Sequence, residues 1–294
     1  MFTQSSCRWK SFPLYLPVLL LAVVGCGVEG DVAAGGAQGA KSARSATPAS
    51  PSAPASSQGP LTAELPPIGD AELSPAVRGK KVLVVGDSWA ERLGEGMVKV
   101  ASSGNVIVNA GVGGCGIMLP DLVDGERVRS DCLEWPQKWP EYIAKYRPDA
   151  VLLRTTTWDL HPQSFDGAGV QLTIEHPGFR RRFEKNMGKA IDILAKNGTP
   201  VYLTTDKLQE EGIWRSSSIE MNKVIKEVSQ KYKSRGVHIL DLAEQLCNRD
   251  DCPSVIDGRR LYDETSHPVG WSRDRLATWI LNSMFATRST GATS

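Results

Sequence analysis

From about residue 80 onward, apolar and polar positions fall into two kinds of block. Short continuous apolar runs form one kind. Lys81 to Gly86 (KVLVVG) is Val-rich and bounded by a turn residue, as suits a strand buried on both faces. Asn105 to Asn109 (NVIVN), the run AVLLRTT after Pro148-Asp149, Pro200 to Thr205 and Val237 to Leu242 repeat that pattern. Longer stretches lie between them and predict helices at about Ala90 to Ala101, Trp135 to Tyr146, Phe179 to Lys196, Ile219 to Lys233 and Ser272 to Phe285. Asn197-Gly198 and Gly236 follow two of these, as expected where a helix closes in a left-handed turn. Strands alternating with helices predict a three-layer α/β/α domain around a central, mostly parallel five-stranded sheet. Ligands of such sheets sit beyond the carboxyl ends of the strands, so chemistry is expected there.

The first 75 residues break the pattern. Arg8 and Lys10 precede an apolar run from Phe12 to Val24, followed by Gly25-Cys26. A basic start, a short apolar run and a small residue at the cut site describe an export signal over residues 1–25. The Val23-Val24-Gly25-Cys26 segment resembles a lipobox, which implies lipidation of Cys26. An uncleaved membrane anchor is the other reading, but the run is short for a bilayer span and contains Pro13 and Pro17. Either reading places the rest outside the cytoplasm. Residues 26–75 are mostly Ala, Gly, Ser and Pro and cannot bury enough surface to offset their ordering entropy, so they predict a disordered tether. The folded domain is expected over 76–287, with a short tail over 288–294.

Charge and cysteines narrow the partners. With 34 basic against 33 acidic residues, no basic stripe points to nucleic acid. Once Cys7 leaves with the signal and Cys26 takes lipid, Cys115, Cys132, Cys247 and Cys252 remain. An even number in an oxidising compartment predicts disulfides; of the three connectivities, the local pairing Cys115–Cys132 and Cys247–Cys252 is preferred. A zinc site would want tight Cys pairs or a nearby His, and a dithiol oxidoreductase would want Cys-x-x-Cys; neither is present, and no metal or cofactor is called for.

The first strand runs straight into Gly86-Asp87-Ser88-Trp89 and then a helix. Ser88 therefore falls at the sheet's carboxyl edge and near a helix N-terminus, where free N–H groups favour a developing anion. A serine hydroxyl needs a base, and the same residues could simply cap the helix. Among the four histidines, His267 lies in Tyr262-Asp263-Glu264-Thr265-Ser266-His267-Pro268, a polar loop just before the last helix. An acid three or four residues earlier can reach the far ring nitrogen across a turn.

Taken together, the Gly-Asp-Ser start and the acid shortly before His267 resemble the first and last motif blocks of the SGNH (GDSL-like) hydrolases, over roughly residues 80 to 286. The resemblance implies a flavodoxin-like sheet, Ser88 as nucleophile and His267 as its base. Asn109-Ala110-Gly111-Val112-Gly113-Gly114 resembles the second block, which implies oxyanion donors at Gly114 and at Ser88's own N–H. The third block, Gly-x-Asn-Asp in the family, reads Thr156-Thr157-Trp158-Asp159 here, so Trp158 stands where the family has an oxyanion Asn; Trp158, Thr156 and Arg154 are the alternatives for that donor. The family acid spacing is Asp-x-x-His. Asp263 with a one-residue insertion is favoured, and Glu264, at the family spacing, is the alternative. Asp87, Trp89, Thr156 and Asp159 are the expected substrate contacts.

Cys115, the Cys132-x-x-Trp135-x-x-x-Trp139 segment and the Trp-acid third block are similar to extracytoplasmic SGNH domains fused to membrane acyltransferases of envelope sugars. That similarity implies an acyl-ester or carbohydrate substrate and a separate membrane acyltransferase as partner, while the lipobox-like segment implies a lipid anchor in the bacterial envelope, with the domain facing the periplasm or exterior. The expected activity is ester hydrolysis or O-acyl transfer; the rival is a non-catalytic glycan-binding lipoprotein using the same cleft.

Overall fold

The computed structural model describes residues 72–101, 103–155, 157–209, 212–248 and 251–286. The expected signal, Cys26, the tether as far as residue 71, Thr156 and the tail lie outside them.

Elements follow in the order β1 (Lys81–Gly86), α1 (Ser88–Val100), β2 (Val106–Gly111), β3 (Leu122–Val123), β4 (Glu126–Arg127), α2 (Trp135–Tyr146), β5 (Ala150–Arg154), β6 (Gln163–Ser164), α3 (Pro177–Leu194), β7 (Val201–Thr204), α4 (Gly212–Lys231), β8 (Val237–Leu240), α5 (Leu242–Leu246), β9 (Val255–Ile256), β10 (Arg259–Arg260) and α6 (Gly270–Phe285). The five long strands form one sheet in the order β2-β1-β5-β7-β8, parallel throughout. The reading from periodicity holds for this sheet. It did not anticipate two short antiparallel additions, β4-β3-β6 and β9-β10, because strands of two residues carry no period.

Alternation along β1 splits the core into two layers. Leu83 and Val85 face a cluster holding Trp135 and Ile143 of α2, Phe179 and Phe183 of α3, and Met221 and Val224 of α4. Val82 and Val84 face Leu93 and Met97 of α1, Leu242 and Leu246 of α5, and Leu276 and Ile280 of α6. Both faces are thus covered, as an all-parallel sheet requires. Helix starts differ from expectation where polar residues open the first turn. α1 begins at Ser88 because the Asp87 side chain accepts from the N–H groups of Trp89 and Ala90. α4 begins at Gly212, ahead of the polar run Ser216-Ser217-Ser218 that interrupts the apolar period.

The register sets Gly86, Gly111 and Arg154 side by side where β1, β2 and β5 end. Gly86 has φ +132°, and a Cβ there would sit 1.6 Å from the Arg154 carbonyl oxygen, so only glycine allows this approach. Disulfides join Cys115 to Cys132 and Cys247 to Cys252, the local pairing.

Candidate active site

Two segments far apart in the sequence meet at that carboxyl edge. Ser88 opens α1 directly after β1, and His267 lies in the loop leading to α6. His267 Nε2 is 2.7 Å from Ser88 Oγ, across 179 positions of sequence. The other three histidines are engaged elsewhere. His161 pairs with Asp124, His176 caps α3 by accepting from the Gly178 N–H, and His238 lies against Tyr202.

The segment from Asp263 to His267 is a turn closed on itself. The Asp263 carboxylate oxygen Oδ1 accepts from the N–H of Thr265 (2.9 Å) and of His267 (3.0 Å), and the Asp263 N–H donates to the His267 carbonyl (2.8 Å). Ser266 takes a positive φ of 61° to complete the turn. The carboxylate does not reach the imidazole directly: Oδ1 stands 3.9 Å from Nδ1. The Thr265 hydroxyl lies between them, 2.7 Å from Asp263 Oδ1 and 2.7 Å from His267 Nδ1. Burial pushes the Asp263 carboxyl up, but hydrogen bonds from Thr265 and His267 outweigh it and hold the group below its usual range. Of the two acids expected from sequence, Asp263 is the one folded around His267; Glu264 is exposed and makes no hydrogen bond to it among the described residues.

Anion-stabilising donors are also close. Asp87 occupies the N–H groups of Trp89 and Ala90, which leaves that of Ser88, the first residue of α1, with no acceptor among the described residues. The loop after β2 folds over it. A Cβ built on Gly113 would lie 3.8 Å from that of Ser88, and Gly114, with φ +77°, turns away beside Trp158 and Arg129. The N–H groups of both glycines likewise lack an acceptor among the described residues. Arg129 ties this loop down by donating to the Gly113 carbonyl (3.0 Å), and the Cys115–Cys132 disulfide follows immediately.

Three expected substrate contacts are instead buried supports. Asp87 is fully buried; it caps α1 and pairs with Arg154 Nη1 at 3.4 Å. Trp89 is buried under the site against Tyr262, with the Arg154 guanidinium over its ring. Asp159 is fully buried and accepts from the N–H groups of Ile117 (2.9 Å) and Met118 (3.0 Å) and from the Thr155 hydroxyl, so it anchors the chain just past Gly114. Arg154, one alternative for the third oxyanion donor, is also fully buried, held between Asp87 and Asp206 (2.7 Å). Each belongs to the frame behind Ser88, not to its exposed side.

Trp158 is only partly buried, beside Gly114. It stacks on His161 at 4.8 Å, and His161 in turn meets the exposed Trp214 of α4 at 4.9 Å. Asp124 Oδ2 holds His161 Nδ1 at 2.6 Å. This row of rings leads away from the Gly114 loop. Sequence reasoning had named Trp158 alone, because His161 and Trp214 are far apart along the chain and share no motif.

The family model described as SGNH domain (fused to AT3 domains) matches residues 56–207. That span contains Ser88, Gly114 and Trp158 and stops short of Asp263 and His267. No curated protein matches the sequence. Among solved structures, a GDSL-like lipase from Bacteroides thetaiotaomicron aligns over 70% of this chain and 88% of its own, at 12% identity and a TM-score of 0.46. The periplasmic domain of a lipopolysaccharide acetyltransferase from Salmonella ser. Paratyphi A aligns over 70% and 83%, at 13% identity and 0.44. A catalytic mutant of an acetylxylan esterase from Geobacillus stearothermophilus aligns over 70% and 94%, at 14% identity and 0.44. With just over half of its length inside that one family model, the chain belongs to the SGNH family, whose chemistry is the hydrolysis or transfer of acyl esters.

Proposed function

We propose that the protein is a serine-dependent esterase or O-acyltransferase acting on O-acylated carbohydrate of the cell envelope or its surroundings. The observation that carries this reading is the 2.7 Å approach of His267 Nε2 to Ser88 Oγ at the carboxyl edge of the sheet. In the proposed reaction, His267 takes the Ser88 proton as Oγ attacks the ester carbonyl. The N–H of Ser88 and those of the Gly113-Gly114 turn receive the charge on the carbonyl oxygen. His267 then returns the proton to the leaving alkoxide, and an acyl group remains on Ser88. Water or a sugar hydroxyl, deprotonated by His267 in turn, attacks the acyl-enzyme and frees the serine.

The sugar part of the proposal is supported by the row Trp158–His161–Trp214. A sugar ring presents C–H faces that pack on aromatic faces, and edge hydroxyls that bond to polar groups such as the Asp124–His161 pair. A purely apolar acyl groove would have no use for a carboxylate at its wall. In this reading Cys26 carries lipid, residues 26–75 hold the domain off the membrane, and a separate membrane acyltransferase supplies acyl groups, as the family's fusion to such domains suggests.

Release of p-nitrophenol from p-nitrophenyl acetate by the purified protein tests the core of this. Ser88→Ala and His267→Ala are expected to fall to background while melting as wild type does. A folded wild type no faster than Ser88→Ala defeats the simple esterase reading and leaves glycan binding through the same cleft or a transferase that needs its own acyl donor.

A further inference from the structure

We infer that Thr265 is a positioning residue, and that its hydroxyl, in place of a direct carboxylate contact, sets the His267 tautomer that Ser88 needs. The inference rests on the acyl-transfer reading above. It follows from the direction each hydrogen bond must take. An ionised Asp263 carboxylate can only accept, so the Thr265 hydroxyl, 2.7 Å away, must donate its one proton to it. Having spent that proton, Thr265 Oγ can only accept at its other contact, 2.7 Å from His267 Nδ1. Nδ1 must therefore carry the ring hydrogen. In the neutral ring Nε2 is then bare, and it is Nε2 that faces Ser88 Oγ at 2.7 Å. The chain Ser88 → His267 → Thr265 → Asp263 closes with each hydroxyl or ring hydrogen donated once along it, and with the base nitrogen pointing at the nucleophile.

The backbone explains why a fourth member is needed. Asp263 precedes His267 by four residues, and its carboxylate is committed to the N–H groups of Thr265 and His267, which closes the turn but holds Oδ1 3.9 Å from the ring. That gap is too long for a hydrogen bond, and one hydroxyl fills it. Thr265 is exposed, so packing does not account for its identity. Its own N–H is part of the turn whatever the side chain, so a change at the hydroxyl leaves the turn's backbone bonds in place.

The test uses steady-state kinetics on p-nitrophenyl acetate with the full chain carrying Thr265→Val, Thr265→Ser or Asp263→Asn, each beside Ser88→Ala. Valine keeps the shape and removes the hydroxyl. It is expected to lower kcat about tenfold to a hundredfold, the usual scale for losing a hydrogen bond to a group that becomes charged, with KM within about twofold of wild type. Serine is expected to restore kcat to within about threefold. Adding Asp263→Asn to Thr265→Val is expected to cost little more, since the carboxylate acts through the hydroxyl. Wild-type kcat in Thr265→Val with a damaged Asp263→Asn overturns the inference in favour of direct contact by the carboxylate. Equal damage in Val and Ser overturns it in favour of packing by the methyl group. If instead wild type is no faster than Ser88→Ala, the esterase reading on which the inference rests has failed, a result distinct from either.

Discussion

Replacing Asp159 by Asn should change the pH dependence of stability in a direction opposite to that of most carboxylates. Asp159 is wholly buried, and burial is the main influence on it. Hydrogen bonds from Thr155, Ile117 and Met118 pull its pKa back only part of the way, leaving it raised from 3.8 to about 6. A folded pKa above the unfolded one means that the native state holds the proton more tightly. The resulting stability is fully present below the unfolded value of 3.8 and is lost as pH rises through about 6. Between about pH 7.5 and about pH 4.5 this one group should contribute about 2 kcal/mol in favour of the acid condition. Asparagine cannot titrate, and it loses one of the acceptor positions that serve Ile117 and Met118, a cost of about 1 kcal/mol at every pH. Urea unfolding of both proteins at the two pH values separates these effects. Asp263, Glu175 and Asp241 are held below their usual range and weaken both proteins alike as pH falls, so they cancel in the difference. The gap between wild type and Asp159→Asn should widen by about 2 kcal/mol on going to about pH 4.5. A gap that stays constant within about 0.5 kcal/mol would refute the argument and show that the carboxylate's hydrogen bonds, not its burial, decide its charge.

Two further outcomes follow from the frame and the row of rings. Arg154→Met should cost about 3–5 kcal/mol in denaturant titration, because it takes the Arg154 cation from the buried carboxylates of Asp87 and Asp206, and a loss below about 1 kcal/mol would contradict the pairing. Trp214→Ala should raise KM for an acetylated oligosaccharide about threefold to tenfold, the scale of one aromatic contact, yet leave turnover of p-nitrophenyl acetate unchanged; equal effects on both substrates would remove the sugar-stacking argument.

Local pattern was enough for the sheet. Apolar runs such as Val82 to Val85 and Ala150 to Leu153 lie buried between two helix layers, and whether a residue is buried on both faces is written into its immediate neighbours. The same locality made Ser88 legible, since a strand followed at once by Gly-Asp-Ser puts the serine at a strand end in any parallel sheet. Position within a motif, however, does not say which way a side chain points. Asp87, Trp89 and Asp159 flank the motif blocks, yet Asp87 caps α1, Trp89 packs on Tyr262, and Asp159 holds a loop 41 and 42 residues away in sequence. The sequence favours Asp263 but keeps Glu264, at the family spacing, as an alternative acid. The choice between them came from the turn at Ser266, which folds the earlier acid back over the His267 N–H. Nothing in the sequence marks Thr265 as a residue between an acid and a base, because a hydroxyl matters there only when the acid stops 3.9 Å short. Sequence periodicity reports how each segment divides itself between core and solvent. Which donor meets which acceptor depends on strand register and loop closure across the whole chain, and only the assembled sheet brings Arg154 between Asp87 and Asp206, Trp214 beside His161, and His267 to Ser88.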